Sequence, residues 1–286
     1  MEVAFRLVDV FTEVPFAGNQ LCVVPEPVGL DTGTMATLAR EIGFSEATYA
    51  TAVRSDGYDV RIFTPVEELP FAGHPTLGTA FVLVSEGRVT PSVVQTSIAG
   101  DVPVEVDLTA GFAWMRQLPP VLHDPVLDRA AAARAAGLEL DELVDDLPIV
   151  VASTGLAHLM VPVRDEVVLR RATRDHAGCA AVCAANAAES LYLFTVRGHG
   201  DVMARMFDRG AQIGEDPATG SAAGPLGAYL ATHGLAGAPG CVLIAQGEMI
   251  GRPSFLHVQV EPESGSLAVR VGGGVRIVGE GIFRVG

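Results

Sequence analysis

The stretch His74-Pro75-Thr76-Leu77-Gly78-Thr79-Ala80 returns later in the chain as Asp216-Pro217-Ala218-Thr219-Gly220-Ser221-Ala222. Pro, Gly and Ala repeat, Thr is answered by Ser, and one polar residue stands for another. The two copies lie about 140 residues apart, close to half of the chain, which is the spacing of a duplicated unit. Working outward, Arg61-Ile62-Phe63 is answered by Arg205-Met206-Phe207, and Glu46-Ala47-Thr48-Tyr49 by Glu189-Ser190-Leu191-Tyr192. Gly18 with its apolar run to Val24 is matched by Gly155 with its run to Val161. Echoes that keep their order predict two halves of one architecture. The boundary falls between Pro119-Pro120 and Leu147-Pro148, giving an N-terminal lobe of 1–120 and a C-terminal lobe of 121–286. The final strand, 275–286, could belong to either lobe.

Each half reads in the same order: strand, glycine turn, strand, amphipathic helix, two strands, loop, and a helix begun by proline. The first amphipathic helix is expected over Asp31 to Ile42, with Met35, Leu38 and Ile42 on one face. Its counterpart runs from about Arg174 to Ala187, and an Ala-rich helix is expected over Asp128 to Ala136. Val3 to Phe11, Gln20 to Val24, Val102 to Leu108, Phe255 to Val260 and Leu267 to Val271 have strand length and strand patterning. Helices are expected from Pro75 to Ser85 and from Pro217 to Ala231, stopped by Gly87 and Gly234. They are apolar on every side, so they belong at the centre of their lobes. The fold class that follows is α+β, two pseudo-symmetric lobes, each a mixed, mostly antiparallel sheet wrapped around a central helix.

Composition narrows the chemistry. The chain is 49% hydrophobic and 19% charged, with 32 glycines and 18 prolines, which is the make-up of a packed globular protein. A formal charge of −15 repels phosphate backbones and anionic membranes, so neither nucleic acid nor a membrane is an expected partner. No apolar run is long enough to span a bilayer, and the start Met1-Glu2-Val3 lacks an export signal, so a cytoplasmic location is expected. Cys22, Cys179, Cys183 and Cys241 are scattered without metal-ligand spacing, and reduced buried thiols are the expectation.

With proline at the first helical position, His74 and Asp216 are expected at the N-caps of the two central helices, beside exposed backbone N–H groups that suit an anion. Asp216 serves equally well as a structural cap. His74 is a middling cap and a natural proton carrier near neutral pH. Thr79 reads as structural, whereas Ser221, following Gly220, reads as open to a ligand. Glu46 and its echo Glu189 are equal candidates for a general base. Gly272-Gly273-Gly274 opens no helix, so it reads as a tight turn or bulge and not as a nucleotide fingerprint.

At these residues the chain resembles the PhzF-like phenazine biosynthesis proteins. The segments that carry the resemblance are Val8-Asp9-Val10-Phe11-Thr12, Phe16-Ala17-Gly18-Asn19, Phe44-Ser45-Glu46-Ala47-Thr48, Phe71-Ala72-Gly73-His74-Pro75-Thr76-Leu77-Gly78 and Gly214-Glu215-Asp216-Pro217-Ala218-Thr219-Gly220-Ser221-Ala222. The resemblance implies the diaminopimelate epimerase fold, a homodimer, an active site in the cleft between lobes, and an isomerase that needs neither metal nor coenzyme. It implies Glu46, rather than Glu189, as the acid/base. His74 and Asp216 would be its catalytic partners, and Gly73, Gly220 and Ser221 would bind a small carboxylated substrate such as trans-2,3-dihydro-3-hydroxyanthranilate. Relatives on the same fold use two facing cysteines, and this chain has His74 and Asp216 in their place. A non-catalytic binding protein on the same fold is the remaining alternative.

Overall fold

A helix that is apolar on every face is stable only when enclosed, and both such helices are. In the computed structural model, which describes residues 1–210, 214–237 and 240–286, the chain forms two compact units. Met1–Arg116 with Gly272–Gly286 make the first unit, and Gln117–Val271 make the second. The chain crosses between units at 116/117, before Pro119-Pro120, and its last residues return to the first.

The first unit contains β1 (Glu2–Val10), β2 (Asn19–Val24), α1 (Thr32–Ile42), β3 (Glu46–Arg54), β4 (Gly57–Phe63), β5 (Glu68–Leu69), α2 (Gly73–Ser85), β6 (Ser92–Ser97), β7 (Gly100–Asp107) and β8 (Phe112–Arg116). The second contains β9 (Val121–Pro125), α3 (Arg129–Ala135), β10 (Val150–Ser153), β11 (Ala157–Pro162), α4 (Glu166–Arg171), α5 (His176–Ala185), β12 (Ser190–Gly198), β13 (Asp201–Asp208), β14 (Glu215–Asp216), α6 (Gly220–Thr232), β15 (Cys241–Gln246) and β16 (Ser254–Glu263). The long strand β17 (Ser266–Arg284) begins in the second unit and ends in the first.

Strand pairing repeats between the units. β1 and β2 are antiparallel, β2 and β3 parallel, β3 and β4 antiparallel, β4 and β6 parallel, and β6 and β7 antiparallel. The same sequence of senses runs through β10, β11, β12, β13, β15 and β16. Helix α2 packs against β1, β2, β3, β6, β7 and β8, and α6 against β9, β10, β11, β15 and β16. Every residue of α2 but Ser85 is buried. Leu77, Val82 and Leu83 are completely so, each contributing about 1.5–3 kcal/mol relative to exposure. On the outer face of the first sheet, α1 sets Met35 and Ala39 against Val24, Tyr49 and Phe63. In the second unit α3, α4 and α5 cover the corresponding face, with Ala132, Leu169 and Cys183 among the buried residues.

The register corrects the alignment read from sequence. Ala47 pairs with Phe63 and Leu191 with Phe207, so the counterpart of Glu46 is Ser190, not Glu189. Phe63 pairs with Glu68 and Phe207 with Glu215, which aligns Glu68-Leu69-Pro70-Phe71-Ala72-Gly73-His74 with Glu215-Asp216-Pro217-Ala218-Thr219-Gly220-Ser221. His74 therefore answers Ser221, and Asp216 answers Leu69. The helix ends agree, because Gly87 and Gly234 each follow the last turn in the left-handed conformation, with φ of 68° and 70°.

The helix starts differ from expectation for the same reason. Helix α2 begins at Gly73 after the N-cap Ala72, placing His74 second and Pro75 third. A proline anywhere in the first turn forfeits no intrahelical bond, so it does not fix the cap. Helix α6 begins at Gly220 after Thr219. The backbone of Asp216 is instead held in the β14 bridge to Met206, which keeps Asp216 and Pro217 outside the helix.

Gly272-Gly273-Gly274 is neither turn nor bulge but continuous strand within β17. A Cβ at Gly272 would lie 2.5 Å from the Trp114 ring, and one at Gly274 2.3 Å from the Thr12 carbonyl. Close backbone approach, not turning, is what requires glycine here. Beyond it the strand pairs with all of β1, from Val275 opposite Val10 to Arg284 opposite Glu2.

Candidate active site

The candidate residues fall into two groups, one in each unit. In the first, β2 and β3 run parallel with Leu21 opposite Glu46, so Glu46 sits at the strand's first position. Its side chain is only 12% exposed, and that of His74, at the second position of α2, 6%. His74 Nε2 lies 3.4 Å from Glu46 Oε2 and 3.2 Å from the Gln20 carbonyl oxygen. A carbonyl oxygen only accepts, so the contact with Gln20 places a proton on Nε2. The Glu46 carboxylate stands within ion-pair distance of the same nitrogen, so a charge on either group is felt by the other. Glu189, the rival base, is on the surface in an ion pair with Arg209 at 2.7 Å. Thr79 is fully buried and donates to Thr48 Oγ1 at 2.8 Å, a packing role.

In the second unit, Asp216 is 6% exposed and its Oδ2 accepts from Thr219 Oγ1 at 2.6 Å. Gln246 pins this loop, donating to the Asp216 carbonyl at 2.8 Å and accepting from the Thr219 backbone N–H and the Tyr192 hydroxyl. Burial foremost, and then the charge of Asp216, raise the Tyr192 pKa, so that phenol keeps its proton. Ser221, at the second position of α6, lies 3.0 Å through Oγ from Nε2 of His158. Pro225 inside α6 lacks the N–H that would bond the Ser221 carbonyl, which loosens the helix at this residue.

Gly73 and Gly220 are the first residues of α2 and α6. Neither N-cap, Ala72 nor Thr219, caps its helix through a side chain, whereas Asp31, Asp128, Asp165 and Asp175 cap α1, α3, α4 and α5. Neither central helix is thus capped by its own N-cap side chain, and each carries the positive end of its dipole at that start.

Sequence reasoning passed over His158, Thr219 and Gln246. The signal for His158 was one polar ring in the otherwise apolar strand Ala157–Pro162. Burial pushes Cys22 and Cys183 up to about 12 and Cys179 up to about 11, so these three keep their protons, whereas Cys241 is exposed and not buried as the sequence suggested. Among the described residues no three His, Cys, Asp or Glu side chains converge as a metal site, and no helix is long and apolar enough to cross a membrane.

A family model described as phenazine biosynthesis-like protein, PhzC-PhzF, matches residues 8–281. The chain belongs to the PhzF family. Its relatives include an uncharacterized isomerase, YddE, of Escherichia coli O157:H7, 35% identical over 88% of each chain. Another is a trans-2,3-dihydro-3-hydroxyanthranilate isomerase of Pseudomonas fluorescens, 32% identical over 97% of this chain and 98% of that one. The crystal structure of a Bacillus anthracis phenazine biosynthesis protein of the PhzF family superposes with a TM-score of 0.88 at 27% identity, covering all of both chains. The chain is an isomerase of this PhzF family, and its fold is that of the family.

Proposed function

We propose that this isomerase moves a proton between two carbons of a small carboxylated substrate, with Glu46 removing it from one and returning it to the other. The substrate class is that of trans-2,3-dihydro-3-hydroxyanthranilate and related carboxylated intermediates. The observation that carries the reading is the Glu46 carboxylate, nearly buried and 3.4 Å from His74 Nε2. As Glu46 takes the proton, the electrons of the broken C–H bond enter the substrate's conjugated system and leave a delocalised, enolate-like anion. Protonation at the second carbon consumes that charge, and the composition of the substrate is unchanged. A single carboxyl group serves both steps if the substrate is held still and water kept away.

His74 steadies the carboxylate and shares its charge. Asp216 and Ser221 take the substrate's polar groups, with Gly73 and Gly220, each first in its helix, as further substrate-binding residues. The test is turnover of trans-2,3-dihydro-3-hydroxyanthranilate by purified variants. Glu46→Gln should lower kcat at least about 100-fold while Glu189→Gln stays within about twofold of the unaltered enzyme. Unchanged turnover in Glu46→Gln would remove Glu46 from the role of base.

A further inference from the structure

Three buried side chains of the second unit form a hydrogen-bonded chain: Ser190, His158 and Ser221. His158 is 2% exposed, and a polar ring so placed is costly unless both nitrogens find partners. Both do, Nδ1 at 2.8 Å from Ser190 Oγ and Nε2 at 3.0 Å from Ser221 Oγ. Burial lowers the His158 pKa to about 4, so near neutrality the ring carries one N–H and one lone pair.

Which nitrogen holds the proton follows from Ser190. That residue is completely buried, and among the described residues the partner of its hydroxyl is His158 Nδ1. A buried O–H that does not donate leaves a polar hydrogen unsatisfied, so Ser190 donates to Nδ1. The ring proton is then on Nε2, which donates to Ser221 Oγ. Ser221 is left with its own O–H for a further acceptor. The opposite tautomer would draw the Ser221 proton into the ring and present only lone pairs outward, repelling an anion.

The pseudo-symmetry gives this chain its significance. Ser190 and Ser221 occupy the places that Glu46 and His74 hold in the first unit. The second copy of the site has kept polar side chains there but exchanged an acid/base pair for a neutral relay ending in a donor.

We propose that His158 is a positioning residue that fixes the Ser221 hydroxyl as a hydrogen-bond donor to an anionic oxygen of the substrate, its carboxylate or an enolate formed in the reaction, with Ser190 setting the tautomer. The proposal rests on the reading of this isomerase as acting on a carboxylated substrate. It is tested first by nitrogen NMR of histidine-labelled protein, with His158→Gln to assign the signal. His158 should show a protonated Nε2 and a bare Nδ1 at pH 7, and the reverse would overturn the proposal.

Calorimetric binding of anthranilate, an unreactive aromatic carboxylate, supplies the second arm. Ser221→Ala and His158→Leu should each weaken binding by about tenfold or more, and the double variant no further, as for a hydrogen bond to a charged group. His158→Gln, whose amide reaches the place of Nε2 and donates there, should recover binding to within about threefold. Unchanged affinity in Ser221→Ala, a Gln variant as weak as the Leu variant, or no anthranilate binding by the unaltered protein would overturn it. The tautomer is read on unaltered protein, and Ser221→Ala, by shifting the Nε2 signal, assigns it without a substitution at His158. Failure of Glu46→Gln to lower turnover would sink the assignment of the base and leave these two results standing.

Discussion

A histidine sealed from water protonates reluctantly, and His158 carries that cost into the stability of the second unit. Its pKa is about 4 in the folded protein because of burial, against about 6.5 in an unfolded chain. Between those values the unfolded state binds a proton that the native state does not, so the cost is absent above pH 6.5 and grows as the pH falls toward 4. The stability difference between the unaltered protein and His158→Gln should therefore shift against the unaltered protein by on the order of 2 kcal/mol between pH 7 and 4.5. Urea unfolding at the two pH values measures it, the other titrating groups cancelling in the difference. A pH-independent difference would mean that His158 is not desolvated. Local sequence offered only a polar ring in an apolar strand, because the partners that give it a role lie 32 and 63 positions away. By residue pattern Glu46 was one of two equal carboxylates, with the family resemblance alone preferring it, and what physically separates it from Glu189 is burial beside His74 as against a surface pair with Arg209.

Among the elements, equivalent strands carry equivalent braces of unequal strength. Arg61 forks onto Glu68 and lies over Phe63, as Arg205 forks onto Glu215 and lies over Phe207. Arg205 also donates to the carbonyls of Leu169 and Ala172 and is only 8% exposed, whereas Arg61 is 29% exposed. Removing Arg205 leaves a nearly buried carboxylate and several carbonyls without their donor. Arg205→Ala should cost about 3–5 kcal/mol, and Arg61→Ala about 1 kcal/mol, by denaturant unfolding. Equal costs would show that burial of the second brace has no energetic consequence.

Element identity was legible because it is local: the Met35, Leu38, Ile42 spacing and the Asp31 cap give α1. Helix starts were not, because His-Pro and Asp-Pro read alike in sequence. Pairing of Asp216 with Met206 holds one proline outside its helix, while Gly73 and His74 enter the other ahead of Pro75.

At the scale of the whole molecule, the duplication was visible in the chain and its register was not. Pro-x-x-Gly matches in two alignments, and only the strand ladders decide that Gly73-His74 answers Gly220-Ser221. The return of the C-terminus was likewise open in the sequence, since a final apolar strand pairs as readily with one sheet as with another. In the structure it completes the first unit by lying along every residue of β1. Deleting residues 272–286 should expose the β1 amides and unfold the first unit while the second keeps its protection, read by hydrogen exchange with mass spectrometry. Uniform protection in the truncated protein would contradict that division.

The central claim is that one carboxyl group, Glu46, carries the proton in both directions. The most direct measurement is a single turnover of trans-2,3-dihydro-3-hydroxyanthranilate in deuterium oxide, with the product's isotope content read by NMR. The account predicts deuterium at the one carbon that gains a proton, some product retaining the original hydrogen there, and product formation at least about 100-fold slower in Glu46→Gln. Isomerisation by Glu46→Gln at the same rate and with the same labelling as the unaltered enzyme would contradict it.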